Sequence, residues 1–521
     1  MSNGTPQHGP WIWALIALAA LERAWLLLHF GFTHIGIDDA LIQQVAIDYG
    51  NGFFREPFLY GQNYNPMLEA LLAAPFIRLG AAPWIALPII TSLLALLPFW
   101  SLSLWCLLRQ EALAAFAVAA IPLLLPVEWG LITSLPRGWV HGLALLAFVP
   151  WMHGIRHSWT RHALLGLTLM AALLCNPNAA PLVAAIAIGL VLREPRSASL
   201  WVMGATTLAC GWLLHRAAQS WYAARPGSVV HPLLPTDLAF DPRLMMDGLA
   251  RIDAHLLHLH PFASMAWLAL AVFAAMVIAL ALRRQWHALV PLATALAVML
   301  LALGIPKAHE GCTSVFLPLS RMMLGMPLLL AASVAVLLWD RPARRSVHIV
   351  FVPLALLAIG KSASVNATVR NELVQQECAW VREEPIDVVR ERCSVIGITA
   401  RTFNCDLIVP IRWPHLRIDH ATHFTAHLTC YACPQLAPGF PATYGAGFDR
   451  RAWVRAANEA PPLGRVLFVG GDPSAWRTAI AEGLGIEDVS DQGIEMHIAR
   501  CDTVAAGDFI LRMGVDDDLA R

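Results

Sequence analysis

At 521 residues, 57% hydrophobic and 14% charged, with a mean hydropathy of +0.57, the chain carries more apolar material than a soluble core of this length can bury. Lys+Arg and Asp+Glu both total 36, so the formal net charge is zero and no basic footprint marks a nucleic-acid partner. The composition is that of a membrane protein and excludes polynucleotide substrates.

The first apolar run, 11–30, is long enough to cross a bilayer. No small-residue cleavage pattern closes it, so it reads as a retained span and not as a signal peptide. Further apolar runs at 85–108, 112–127, 138–155, 163–175, 179–192, 199–217, 262–282, 288–304, 318–339 and 346–360 bring the expected spans to about eleven. Segment 66–80 decides the topology, because counting it as a span would invert every later loop. Pro66, Glu69, Pro75 and Arg78 within it suit a helix lying in the interface. On that reading Arg109, Arg156, Arg161, Arg193, Arg196, Arg283, Arg284, Arg341, Arg344 and Arg345 share the side of the N-terminus, which the positive-inside rule makes the cytoplasm.

The expected architecture is therefore a polytopic α-helical membrane protein. Its transmembrane part covers 1–360, with external loops at 31–84 and 218–261, and a soluble external α/β domain covers 361–521, where composition turns polar after Gly360. In this tail RVLFVGG (465–471) and GIEMHIARC (493–501) read as strands flanking a capped helix. Six of the ten cysteines, Cys378, Cys393, Cys405, Cys430, Cys433 and Cys501, fall there, which suggests an oxidising compartment and disulfides. HATHFTAHLTCYAC also places His420, His423, His427, Cys430 and Cys433 on one helical face, a pattern that can bind zinc. The turn FVGGDP lacks the spacing of a phosphate loop.

Just beyond the first run, GIDDALIQQVAIDYG puts Asp38 and Asp39 at the outer surface. Two adjacent carboxylates there can act as a general base beside a metal-binding or orienting group, whereas from spacing alone helix capping is the simpler reading. Glu22 and Arg23 lie inside the first run, where charges face a bundle interior and pair with other spans. His255, His258 and His260 could gather a metal, although three histidines just before a span also suit the interface. Trp129 fits an aromatic belt. Tyr60, Gln62, Asn63, Tyr64 and Glu69 form a polar-aromatic cluster suited to holding a sugar, or else an ordered loop closed by Asn65 and Pro66.

The order of first span, Asp38-Asp39-Ala40, Gly50 and Gly52, YGQNYNPMLEALLAAPF (60–76) and second span resembles the polyprenyl-phosphate-sugar-dependent glycosyltransferases of the GT-C superfamily. These include protein O-mannosyltransferases, aminoarabinose transferases and lipopolysaccharide core galacturonosyltransferases. Arg137-Gly138, Asn176-Pro177 and LPLSRMMLGMPLLL (317–330) are similar to that superfamily as well. Two positions depart from it: the usual Asp-Glu pair is Asp-Asp, and Met322 replaces an aromatic after Arg321. The resemblance implies a membrane enzyme of the bacterial inner membrane that moves a sugar from a polyprenyl-phosphate donor to a glycolipid, polysaccharide or protein acceptor, with inversion. It implies Asp38 as base with Asp39 supporting, Lys307, Arg321 and Arg137 as partners of the donor phosphate, and Glu128 as a second acidic residue. A divalent cation is the one cofactor it leaves open. A transporter or lipid flippase, and a non-catalytic assembly subunit, are the competing classes; internally repeated halves would favour the first of them.

Overall fold

The computed structural model describes residues 9–225, 229, 232–262, 265–342, 347–375, 383–410, 433–436, 463–469 and 485–504. Each of the eleven apolar runs is helical there. Among the described residues four helices, Gly9–Gly31, Pro83–Leu108, Leu319–Leu338 and Ile349–Gln375, are long and apolar enough to cross a membrane. Others, such as Ala266–Leu282 and Trp286–Ala302, are apolar but shorter.

Helix Leu68–Arg78 occupies the ambiguous segment. Its 11 residues rise about 16 Å, half of the roughly 30 Å hydrocarbon layer. It packs against helix Ile37–Gly50, with Ala70 and Ala73 in the shared core. The charges within the first run find partners as expected. Glu22 Oε1 is 2.6 Å from Lys361 Nζ, and Arg23 donates to the Gly130 carbonyl at 3.2 Å and to Thr133 Oγ1 at 3.0 Å. Arg23 also lies over the Trp129 ring, which is 4% exposed, so Trp129 is an interior platform and not part of an interfacial belt.

Contacts sort the loops into two ends. At one, Arg161 meets both oxygens of Glu194, the Asp340 N–H donates to Glu111 at 2.9 Å, and Arg283 donates to the Leu337 carbonyl at 2.8 Å. A Cβ on Gly154 would lie 3.7 Å from Arg109 Nη2, so the described arginine-bearing loops lie together; Arg344 and Arg345 are outside the described residues. At the other end the Leu233 N–H donates to Asn63 Oδ1 at 2.7 Å, the Asp241 N–H to Gly304, and the Ile386 N–H to Thr33. This second end carries the first loop, the mid-chain loop and the start of the tail.

Helix Val347–Gln375 runs 15 residues past the boundary expected near Lys361. Lys361 sits half-way along it, and the second half is held by packing, with Val365 and Val369 buried in the core. The tail returns to the first loop through a two-stranded antiparallel sheet: β1, His34–Gly36, pairs with β2, Glu383–Pro385, with Gly36 opposite Glu383. Beyond it, β3 (Leu407–Pro410), β4 (Leu463–Val469), β5 (Ile486–Asp488) and β6 (Met496–Val504) form a mixed sheet of order β3-β4-β6-β5. Helix Ile386–Thr402 covers it with Val395, Ile396 and Ala400 against Ile408, Leu467 and Met496.

The cysteines pair differently from a closed set within the tail. Cys393 is bonded to Cys433, Cys405 carries no disulfide, and Cys312, in the loop before the 319–338 helix, is disulfide-bonded. Cys433 is thereby committed, which removes it from any zinc site; the 420–430 histidines and cysteine and the GGDP turn lie outside the described residues.

Candidate active site

The site begins where β1 ends. Gly36 is the extended residue before helix Ile37–Gly50, and its N–H donates to Asp39 Oδ2 at 3.0 Å. A carboxylate three residues in that reaches back to the helix start satisfies an otherwise orphan donor. Capping therefore belongs to Asp39, whose side chain is 6% exposed, while the Asp38 side chain is 41% exposed and takes no part in the cap. The capping reading of the pair therefore holds for Asp39 and leaves the Asp38 carboxylate outside the cap.

Arg137 binds this pair from the opposite side. Its side chain is 3% exposed, with Nη1 3.8 Å from Asp38 Oδ2, Nε 3.6 Å from Asp39 Oδ1, and Nη2 2.5 Å from Glu383 Oε1. It also donates to the Phe316 carbonyl. Burial opposes its charge, and Asp39, Asp38 and Glu383 more than offset that cost.

The backbone around Arg137 is clamped. Gly138 donates its N–H to Glu69 Oε1 at 2.7 Å, Asn176 Nδ2 donates to the Gly138 carbonyl at 3.0 Å, and Asn178 Nδ2 donates to Trp139 at 2.6 Å and Arg321 at 3.3 Å. One short turn, Asn176–Asn178, thus positions both arginines. Gly138 has φ 75°, and a Cβ there would meet Asn65 Oδ1 at 2.3 Å. Gly138→Ala is expected to cost about 1–3 kcal/mol from the backbone conformation alone, more with the clash, read as a fall in the thermal unfolding midpoint of purified protein.

Lys307, Arg321 and Tyr64 complete the charged group. Lys307 Nζ lies 2.6 Å and Arg321 Nη2 3.7 Å from the same oxygen, Glu310 Oε2, and Glu310 is 46% exposed. The Lys307 ammonium stands 5.2 Å from the centre of the Tyr64 ring. Burial raises the Tyr64 hydroxyl pKa; Lys307 opposes this, while Glu310 and Asp38 add to it. The sequence-expected Asp38, Asp39, Arg137, Lys307, Arg321 and Tyr64 are therefore gathered into one cluster.

Other expected residues are not. Tyr60 is 2% exposed and donates to Asp48 Oδ2 at 2.8 Å; Glu69 is fully buried and contacts His141 Nε2 at 2.5 Å. Both are interior braces: Tyr60 is folded beneath the loop, and Glu69 lies in the first turn of helix Leu68–Arg78 facing His141. Asn63 is spent on Gln219 and Leu233, and the buried Gln62 Oε1 has no hydrogen-bond partner. Glu128 opens the short helix Val127–Ile132 and lies near His258 and Lys361. The three loop histidines diverge: His258 bonds the Thr313 carbonyl, His260 accepts from the Phe262 N–H, and His255 stacks edge-on against His309. Burial, then His309 and Arg251, lower His255 to a pKa of about 4. Among the described residues no group of three or more His, Cys, Asp or Glu side chains is placed to hold a metal ion.

Three members of the site escaped sequence reasoning: Glu383, Glu310 and Asn178. No motif marks them; Glu383 sits in VREEPIDVV, where adjacent acids read as a solvated face.

No family model matches this chain, and no curated protein does. Among solved structures it is similar to the single-particle cryo-EM structure of arabinofuranosyltransferase AftD from Mycobacteria. The TM-score is 0.46 at 14% identity, over 94% of this chain and 40% of that one. The chain thus spans about two-fifths of the length of that protein. The functional reading rests on the geometry of the site.

Proposed function

We propose that the protein is a membrane glycosyltransferase that moves a sugar from a polyprenyl-phosphate donor to a glycolipid, polysaccharide or protein acceptor. The end bearing Asp38 is the external face of a bacterial inner membrane, and the arginine-rich end is cytoplasmic. The observation that carries this reading is one cluster holding both a half-exposed carboxylate, Asp38, and two cations, Lys307 and Arg321, converging on a single oxygen.

Sugar transfer with inversion needs a proton acceptor for the attacking hydroxyl on one face of the sugar and positive charge for the leaving phosphate on the other. Asp38 takes the hydroxyl proton. Lys307 and Arg321 hold the departing phosphate, whose oxygen replaces Glu310 Oε2 between them. Arg137, fixed by Asp39 and Glu383, orients Asp38. Polyprenyl-phosphate pentoses and hexoses supplied to the purified protein in proteoliposomes test the proposal: release of polyprenyl phosphate coupled to acceptor glycosylation is expected. Movement of the donor between leaflets without transfer would instead identify a flippase.

Glu310 competes with the donor phosphate for both cations. An exposed ion pair is worth about 0.2–1 kcal/mol, so Glu310→Gln is expected to lower the donor KM about two- to five-fold with kcat little changed. A raised KM would show that Glu310 helps to hold the donor.

A further inference from the structure

Glu383 reaches the site from the far end of the sequence. β2 sets it opposite Gly36, two residues before Asp38, with its side chain 1% exposed. Arg137 Nη2 occupies its Oε1, and its Oε2 is buried without a hydrogen-bond partner. Asp39 shows a similar division: Oδ2 accepts the Gly36 N–H, while Oδ1 is buried with no hydrogen bond and has only the Arg137 Nε at 3.6 Å. Both carboxyls lie against the one Arg137 guanidinium, Asp39 Oδ1 at 3.6 Å from Nε and Glu383 Oε1 at 2.5 Å from Nη2, and a hydrogen bond with Asp39 is among the causes that raise the Glu383 carboxyl. Buried acceptors left empty are costly, and two carboxylates in contact cannot both ionise readily.

We propose that Glu383 is a positioning residue that shares one proton with Asp39 between Oε2 and Oδ1, so that the tail strand sets the ionisation of the site. The proposal rests on the glycosyltransferase reading for its catalytic consequence and on geometry for the proton itself. A single proton satisfies both empty oxygens. Asp39 Oδ2 already accepts the Gly36 N–H whereas Glu383 Oε2 has no donor, so the proton resides mainly on Glu383. Asp38 is then the one carboxylate of the three that an acceptor can reach.

Burial first, then the charges of Asp39 and Asp38, raise the Glu383 carboxyl well above its ordinary range against the opposing effect of Arg137. A group raised in this way contributes fully in acid and loses its contribution as pH rises through the raised value. Alkaline loss of activity is the expected signature. Once the proton leaves, two buried carboxylates repel and Arg137 is drawn from Asp38.

The test compares Glu383→Gln with Glu383→Ala in full-length protein. The glutamine amide donates to Asp39 and accepts from Arg137, which reproduces the protonated acid. Glu383→Gln is expected to keep transfer within about three-fold of wild type and to lose the alkaline limb. Glu383→Ala is expected to fall about ten-fold or more, because Asp39 Oδ1 and Arg137 Nη2 lose their partners. Equal impairment of both variants, or an alkaline limb unchanged in Glu383→Gln, overturns the shared proton. Infrared spectroscopy of the protein without donor gives a readout independent of transfer. The carbonyl band of a buried protonated carboxylic acid is expected in wild type at neutral pH and absent in Glu383→Gln. Its absence from wild type sinks the proposal while leaving glycosyl transfer open; its presence in a protein that transfers no sugar upholds the proton and fails the enzyme reading.

Discussion

Asp38→Asn is expected to slow transfer by about 10²–10⁴-fold, the usual contribution of a general base, with folding and donor binding intact. The helix start loses nothing, because the Gly36 N–H goes to Asp39. Asparagine keeps the size of the side chain. The contact with Arg137 is 3.8 Å and half-exposed, so its loss costs under about 1 kcal/mol. Single-turnover rates with a radiolabelled donor, together with an unfolding midpoint and a donor-binding isotherm, separate these contributions. If Asp38→Asn turns over near the wild-type rate while Asp39→Asn does not, the two roles are exchanged. If both stay active, the proposed mechanism is wrong.

Arg137→Met is expected to destabilise the fold by about 3–5 kcal/mol, the range for stripping one partner from a buried ion pair. Asp39 and Glu383 would remain inside without a cation, and the Phe316 carbonyl without a donor. Arg137→Lys keeps the charge but not the planar fork that serves Phe316, Glu383 and the aspartates together. Its loss should be intermediate. Detergent-solubilised protein followed by thermal unfolding reads the series; an unchanged midpoint in Arg137→Met would mean that the carboxyls do not depend on this arginine.

What the sequence made legible follows from the range of the interactions involved. Apolar runs report helices because burial in a membrane is a local property of composition, and the described loop arginines Arg109, Arg161, Arg193 and Arg283 lie at one end. Asp38, Arg137, Lys307 and Arg321 each lie near the end of an apolar run and Tyr64 in the first loop, and the fold brings these positions together. Tyr60 and Glu69 were misread because loop position does not tell whether a side chain points to solvent or beneath the loop. The polarity after Gly360 falls in the middle of a helix that continues to Gln375, because composition does not report where a helix stops. Glu383 was invisible for a different reason: its burial depends on a three-residue strand pairing with residues near the start of the chain.

That pairing bears on how the protein is made. Residues 34–36 emerge early, and residues 383–385 follow only after the intervening helices have been synthesised. At about 5–20 residues per second, the first-loop carboxylates wait on the order of tens of seconds for the strand that completes their surroundings. Until then Arg137 has one acid fewer and β1 has an open edge. The acids of the first loop thus stay without their third member, and Arg137 without its 2.5 Å partner, until the chain has been made as far as residues 383–385.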